Sequence, residues 1–316
     1  MARIKQDSHL YQPLKYVDIL TDYGFKLLFG DKELLMAFLN ALFEDSGKVV
    51  TSVRYLNKEV VALHHNGRTI YYDLHCKING SEDVIIEMQF QSQDTFVERA
   101  FYYMSRSIVL QGDNTERWKY KMYPVYGIFL MNFHLPVKDA PKRVVYEIVP
   151  VFNGTDKTVT DKFKMFFIDL LNFDKATEDD LQTKFDYWIY SIKNMGKITT
   201  APKMMTKTPF NRLYTRAEIA NMNPRQYREY EESLKLYRDT YSINSTIRNA
   251  KKRERAEGRA EGRAEGMAQG MAQGMTQQLL ENIRNLMSAG FDFDKVVEML
   301  KIPAEKIDGL REMLSK

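Results

Sequence analysis

The chain has 316 residues, of which 44% are hydrophobic and 12% aromatic, enough for one large domain with an appendage or for two domains. Its net charge of +4 permits a nucleic-acid partner without demanding one. A single cysteine, Cys76, excludes a disulfide framework and a cysteine-based zinc site within one chain. The N-terminal segment lacks the apolar core of a signal peptide, and no apolar stretch is long enough to span a bilayer. We therefore expect a soluble, cytoplasmic protein with no membrane partner.

Helix and strand patterns alternate along the first two hundred residues. Residues 32–42 place apolar side chains at helical spacing, with Asp31 as the predicted N-cap. A strand-like stretch covers 49–63, and a second helix pattern runs over 94–112. Three β-rich runs and a further amphipathic helix follow, at 123–133, 143–152, 163–173 and 177–195. This order predicts an α/β fold in which helices flank a mixed sheet.

The composition changes after about Asn223, where the sequence becomes charged and helix-favouring with no evident globular core. We predict three parts: a large domain over 1–222, a charged helical linker over 223–278 and a small helix-turn-helix-like unit over 279–316. The last unit has few basic residues for DNA binding. A small oligomerisation or docking unit is therefore at least as consistent with its sequence.

A tetrapeptide repeat, RAEG three times and then MAQG twice, occupies residues 255–274. On a helix each repeat advances only about 40° around the axis, so the arginines form one row and the glutamates another on roughly the opposite side. Like charges four residues apart and repeated glycines both weaken an isolated helix. Either a partner helix stabilises the repeat, which predicts a homo-oligomer, or the repeat is a partly disordered tether produced by slippage.

The segment YYDLHCKINGSEDVIIEMQF, residues 71–90, has the pattern of a β-hairpin with an acid inside each strand. Side-chain alternation places Asp73 and Glu87 on a polar face and gives each strand an apolar opposite face. The predicted turn is 79–81, a three-residue loop that contains a glycine. In that register Asp73 lies directly opposite Glu87, with Cβ atoms about 5 Å apart.

Two directly opposed carboxylates repel each other unless a cation lies between them. Carboxylate oxygens are ligands for Mg²⁺, with Mn²⁺ as the alternative metal. The same register pairs Gln89 with Tyr71, where the amide could orient a water. The competing interpretation is a half-solvated hairpin whose acids, Asp73 and Glu87, face water.

Other candidate residues give weaker signals. His75 shares the Asp73 face and could lie at the edge of a pocket, whereas Cys76 points to the apolar face and is expected in the core. His64 and His65 precede the strand without a partner at metal-binding spacing, which favours a loop or surface role.

Three motifs in order carry a family resemblance: TDYGFKLLFG at 21–30, the D-x(13)-EMQ pattern over 73–89, and ERAFYYMSRSI at 98–108. They resemble the Rpn family of recombination-promoting nucleases, also described as PD-(D/E)XK nuclease family transposases, over residues 17–250. The resemblance implies a restriction-endonuclease-like core, a mixed four-stranded sheet with a helix on each side. It also implies that the domain at 1–222 is a Mg²⁺-dependent DNA endonuclease.

The resemblance assigns metal ligation to Asp73 and Glu87, which match the aspartate and glutamate of the motif. The Met88 carbonyl completes the expected metal ligands. Gln89 stands where the wider superfamily usually has lysine, although this family generally carries glutamine there. A glutamine can hydrogen-bond but adds no positive charge, so the resemblance implies slower chemistry or more reliance on the metal.

Two further pairs of residues lie in the other motifs. Asp22 and Lys26 belong to the motif that leads into the first helix and approaches the active site, and Lys26 is a candidate for the missing positive charge. A phosphate contact or a plain surface position suits Lys26 about equally. Arg99 and Tyr103 share one face of the second helix, where they could contact the scissile DNA strand or support the sheet.

The resulting prediction is a metal-dependent DNA endonuclease linked to DNA recombination or mobile-element biology. Its chief alternative is a catalytically weak or inactive DNA-binding or assembly protein that keeps the nuclease fold. A third hypothesis gives the repeat a structural role, with the N-terminal domain as its cargo. The term transposase does not apply literally, because no three-acid integrase core is visible in the sequence.

Overall fold

A computed structural model describes residues 14–60, 70–112 and 119–315, which fall into two compact units, Met1–Ser242 and Ile243–Lys316. The helices in these residues are α1 Asp22–Phe29, α2 Lys32–Leu42, α3 Phe96–Gly112, α4 Lys184–Asn194, α5 Phe210–Ala217, α6 Pro224–Ser288, α7 Phe293–Met299 and α8 Ala304–Ser315. The strands are β1 Val53–Tyr55, β2 Glu59–Val60, β3 Ile70–Tyr71, β4 Leu74–Ile78, β5 Glu82–Gln89, β6 Val125–Met131, β7 Val145–Ile148 and β8 Phe163–Asp169.

The first unit is built on a mixed six-stranded sheet with the order β1-β4-β5-β6-β8-β7. Strands β5, β6 and β8 are parallel, and the other neighbours in this sheet are antiparallel. Because adjacent parallel strands need a crossover, α3 connects β5 to β6. Strands β2 and β3 form a separate two-stranded ladder. The α/β fold with a mixed, helix-flanked sheet is therefore confirmed, with six strands in place of the four implied by the resemblance.

Both faces of the central strands are buried. Helices α1, α2, α4 and α5 pack on one face, which includes Ile86, whereas α3 packs on the other face, which includes Ile85. Both isoleucines are 0% exposed. The predicted division of the hairpin into one apolar and one polar face is therefore wrong for β5. Glu87 shares a largely apolar face of β5 with Ile85, and α3 covers that face.

The boundaries of the predicted elements changed only where local turns intervene. Asp31 caps α2 as predicted, since its Oδ1 accepts hydrogen bonds from the backbone amides of Glu33 and Leu34. The helix predicted at 177–195 begins later, at Lys184, because Thr183 and Asp186 form a capping box there. The strand predicted at 143–152 is shortened to Val145–Ile148.

The first turns of α6 belong to the core of the first unit. Tyr230 is 0% exposed and Leu234 4% exposed, and both join the cluster formed with α1, α2, α4 and α5. The Tyr230 hydroxyl accepts a hydrogen bond from the Asp18 backbone amide at 3.1 Å. The expectation that no globular core extends beyond Asn223 is therefore wrong. The exposed charges between these two buried positions conceal a short apolar stripe.

The second unit contains the rest of α6 together with α7 and α8. Its small core includes Ile283, Val296, Ile302 and Leu310. The repeat at 255–274 is helical and exposed throughout. None of the helices in the described residues is both long and apolar enough to cross a membrane.

Replacement of Tyr230 by alanine should lower the free energy of unfolding of the first unit by about 3 kcal/mol, because it opens a cavity and removes the hydrogen bond to Asp18. Urea denaturation would measure the change. Tyr227→Ala is the matched control, since Tyr227 lies on the same helix but is 46% exposed. Equal effects of the two substitutions would contradict the assignment of these turns to the core.

Candidate active site

The β4–β5 hairpin sets the register of the site. The turn at 79–81 joins the strands, and its first two residues adopt positive φ angles of 49° and 87°. Ile78 pairs with Glu82, and Leu74 pairs with Ile86. The predicted turn is confirmed, and so is the predicted pairing register from Leu74 to Ile78.

The same register brings the two acids together. Asp73 immediately precedes β4, and its backbone amide donates a hydrogen bond to Glu87 Oε1 at 3.0 Å. In return, the Met88 backbone amide donates to Asp73 Oδ2 at 2.9 Å. Each carboxylate is therefore held by the backbone of the opposing segment.

The predicted pairing of Tyr71 with Gln89 is wrong. The chain leaves the β4 direction before Asp73, and Tyr71 instead pairs with Glu59 in the separate β2–β3 ladder. On the other strand, Gln89 lies beside Met131 of β6. Because of this break, Asp73 remains opposite Glu87 while the residues before it diverge from β5.

Burial, and after it the charge of the neighbouring Asp73, raise the pKa of Glu87 to about 8. Glu87 is 4% exposed, which contradicts the interpretation that this acid faces water. Burial also raises the pKa of Asp73, against the opposing effects of the Met88 amide and nearby positive charges. The two carboxylates therefore form a strained electrostatic pair in a site of low polarity.

The donor set suits a divalent cation. No lysine, arginine or histidine forms an ion pair with Asp73 or Glu87 within the part of the chain that the structure describes. That part also holds no group of three or more His, Cys, Asp or Glu side chains arranged for a metal. A backbone oxygen could add a third ligand. The Gln89 carbonyl bonds to the Asn132 amide of the β6 side, so alternation directs the Met88 carbonyl toward Asp73. Mg²⁺ commonly keeps several waters, so two carboxylates and a carbonyl suffice.

The remaining predicted residues of the EMQ motif and α3 lie around this pair. The Gln89 side chain lies close enough to Glu87 to lower the pKa of that carboxyl, against the larger effect of burial. Helix α3 covers the same sheet face, and the charge of Arg99 acts on both carboxyls. Burial raises the pKa of Tyr103, and the charges of Glu87 and Asp73 raise it further. The structure thus brings Arg99 and Tyr103 to the acid pair.

Of the two candidate residues in the motif at the start of α1, Asp22 acts on the acid pair and Lys26 lies at the surface. Asp22 is close enough for its charge to raise the pKa of Asp73, although burial is the larger cause of that shift. Lys26 pairs with Asp22 at 2.5 Å, and its side chain is 58% exposed. Lys58, which the sequence analysis missed, also places a positive charge near Asp73. It lies in a short loop after β1, where no sequence pattern marks it as a site residue.

The other histidine and cysteine candidates lie elsewhere. His75 is 6% exposed and shares a hydrogen bond of 3.2 Å with Asp83, so its predicted position at a pocket edge is wrong. Cys76 is buried, as predicted. His64 and His65 lie outside the described residues.

The stability of the metal-free protein should depend on pH through Glu87. Its unfolded carboxyl loses a proton near the ordinary pKa of 4.5, whereas the folded carboxyl retains it to about 8, so stability falls between these values as pH rises. Glu87→Gln should remove this loss, so its free energy of unfolding relative to the wild type should be about 3.5 kcal/mol higher at pH 8 than at pH 5. Urea denaturation with EDTA measures it, with the exposed Glu147→Gln as control. A difference that does not vary with pH would contradict the buried pair.

The comparisons with known proteins agree with the fold and with the motifs. The family model described as PD-(D/E)XK nuclease family transposase matches residues 19–246, which include the acid pair, α3 and the first turns of α6. Comparison with curated proteins and with solved structures gave no significant match. Because the match covers most of the chain in a single continuous span, the protein belongs to the PD-(D/E)XK nuclease family transposases.

Proposed function

We propose that this protein is a metal-dependent DNA endonuclease that hydrolyses phosphodiester bonds. The observation that carries the proposal is the mutually positioned pair of Asp73, which is half-buried, and Glu87, which is buried. Neither acid forms an ion pair with a positive side chain in the described part of the chain. Family membership supports a nuclease-like function and DNA as the substrate. A link to DNA recombination or mobile-element biology is part of the same proposal.

Asp73, Glu87 and the Met88 carbonyl would hold Mg²⁺, or Mn²⁺ in its place. A bound divalent cation supplies Lewis acidity to the attacking water and to the phosphate. Gln89, two residues beyond Glu87 on the same strand, would orient the water. Hydrolysis joins the water oxygen to phosphorus and breaks one bridging P–O bond. The departing oxygen takes up a proton, and the second water proton passes to solvent.

This proposal assigns a role to each of the three predicted parts of the chain. Residues 1–222, completed by the first turns of α6, would form the nuclease domain. Residues 223–278 would form the helical linker with the repeat, and 279–316 the small helix-turn-helix-like unit. The alternative function is a DNA-binding or assembly protein with weak or no turnover, and it differs in having no metal-dependent strand cleavage.

Glu87→Gln should lower plasmid nicking about a thousandfold, because it removes a ligand charge that is worth several kcal/mol in metal catalysis. DNA binding should persist and weaken with added salt, since phosphate contacts carry it. Nicking with Mg²⁺, Mn²⁺ or EDTA, beside fluorescence anisotropy of labelled DNA, measures both quantities. Asp73→Ala should behave like Glu87→Gln, and Glu147→Gln should behave like the wild type.

The possible outcomes separate the two functions. Undiminished nicking by Glu87→Gln would mean that other residues carry the metal. Equal nicking in EDTA and Mg²⁺ would contradict metal dependence. Wild-type protein that binds DNA but leaves the plasmid intact with either metal would support the non-catalytic alternative.

We further propose that the repeat at 255–274 associates with the same segment of a second chain. Its side chains are exposed, and an added Cβ at each of its glycines would meet no atom within 4 Å. An isolated helix of this composition is weak, because glycine disfavours helix and like charges recur four residues apart. Pairing two copies would place the arginine row of one against the glutamate row of the other. A dimer would also suit double-strand cleavage, since one active site cuts one strand.

Reversal of one charge row should abolish this association, and mixing the two oppositely reversed proteins should restore it. One variant carries Glu at the arginine positions, and the other carries Arg at the glutamate positions; these positions are Arg255, Arg259 and Arg263, and Glu257, Glu261 and Glu265. Light scattering across concentration measures mass, with a chain ending near Ala250 as reference. If the full chain and the shortened chain show the same oligomeric state, the repeat is only a tether.

A further inference from the structure

The proposed reaction needs a positive charge that the EMQ motif does not provide. Negative charge accumulates on the phosphate oxygens in the transition state, and fixed cations that face this charge accelerate the reaction. Gln89 occupies the motif position next to Glu87 and is neutral. A basic side chain near the acid pair would supply this charge in addition to the metal.

Three basic side chains of the described residues are candidates. Lys26 is exposed and is already paired with Asp22. Lys58 lies in an exposed loop. Arg99 differs from both lysines, because it projects from a helix that is packed on the sheet face that bears Glu87.

The fold directs Arg99 to the catalytic end of the sheet. A helix that connects two parallel strands begins at the end where the first strand finishes, and α3 follows β5 in this way. Arg99 therefore lies in the first turns of α3, near the carboxyl end of β5. One helical turn later, Tyr103 packs edge-on against Tyr72, the residue before Asp73, with ring centroids 5.4 Å apart. The Tyr72 hydroxyl also donates to the Tyr103 carbonyl at 3.1 Å.

The guanidinium of Arg99 is restrained but not neutralised. Its Cζ lies 5.7 Å from the ring centroid of Phe96 and 5.9 Å from that of Tyr103. Nη1 donates to the neutral amide oxygen of Gln93 at 3.0 Å. Arg99 forms no ion pair with any residue that the structure describes. Its full charge is therefore available to a ligand beside the acid pair.

We propose that Arg99 is the catalytic cation of this nuclease, contacting the non-bridging oxygens of the scissile phosphate as the P–O bond breaks. This inference rests on the proposed endonuclease function. An arginine keeps its charge at any working pH, and its planar group can donate two parallel hydrogen bonds to a phosphate. It therefore supplies the charge that a glutamine at position 89 lacks.

Single substitutions test the charge. Arg99→Gln should lower kcat for nicking about a hundredfold, the typical effect of removing one transition-state donor. Arg99→Lys should retain charge without the two-pronged contact and lose about tenfold. DNA affinity in Ca²⁺ should change less than threefold for both variants, because the contact strengthens only in the transition state.

A second charge placed in the motif tests the proposed compensation. Adding Gln89→Lys to the Arg99→Gln protein should recover at least tenfold in kcat, because it restores a cation beside Glu87. Arg225→Gln, which removes a charge from an 83% exposed side chain, is the matched control and should leave kcat unchanged. Lys26→Gln tests the rival cation.

Three outcomes would overturn the proposal. One is that Arg99→Gln loses DNA affinity but keeps the wild-type kcat, so that weaker binding accounts for the whole loss of nicking. Another is a large loss of kcat in Lys26→Gln with none in Arg99→Gln. The third is a double variant with Gln89→Lys that remains as inactive as Arg99→Gln alone.

Mn²⁺ binding separates failure of this inference from failure of the proposed function. A guanidinium facing the acid pair repels a bound cation, so Arg99→Gln should bind Mn²⁺ about threefold more tightly in electron paramagnetic resonance titrations. Wild-type protein that binds Mn²⁺ but never nicks DNA would reject the endonuclease function. If Arg99→Gln then also binds Mn²⁺ with unchanged affinity, the Arg99 guanidinium does not face the acid pair, and the further inference fails as well.

Discussion

The close approach of a buried carboxylate, Glu87, and a half-buried one, Asp73, is the constraint on which the rest of the site depends. Asp73 and Glu87 repel each other, and hydrogen bonds from opposing backbone amides hold them together. Their register cannot slip by one residue, because Ile85 and Ile86 fill cores on opposite faces of the sheet. Packing energy from the whole sheet thus maintains an arrangement that is unfavourable locally and suited to a cation.

The neighbouring strand, the helix and the break before Asp73 each contribute to the position of the charged groups around the acid pair. The parallel neighbour β6 requires a crossover helix, and this crossover brings a basic side chain to the acid pair. Asp73 lies just before the first residue of β4, outside the regular hydrogen-bonded strand. The fold therefore supplies both charges of the site from consecutive segments, the hairpin and the helix that follows it.

The hairpin was predictable because its turn and alternation are local properties. The three-residue turn at 79–81 determines every pairing between β4 and β5. The break at Tyr71 was not predictable, since a second ladder with Glu59, distant in sequence, competes for that strand. The burial of Glu87 was also hidden, because a strand covered on both faces can carry an acid only when the tertiary structure provides its partners. The same limit applies to Lys58, whose position depends on a loop.

The burial of Tyr230 has a consequence for the modularity of the chain. A cut at the compositional boundary near Asn223 would remove the aromatic rings that α6 packs on Tyr23 and Phe90. Phe90 directly follows the motif glutamine, so such a cut would expose apolar surface at the end of the strand that carries Glu87. The first unit therefore needs the first turns of α6 to complete its hydrophobic core. The tetrapeptide tract has no such restriction, because its glycines touch nothing, and whole repeats can be gained or lost there without disturbing either hydrophobic core.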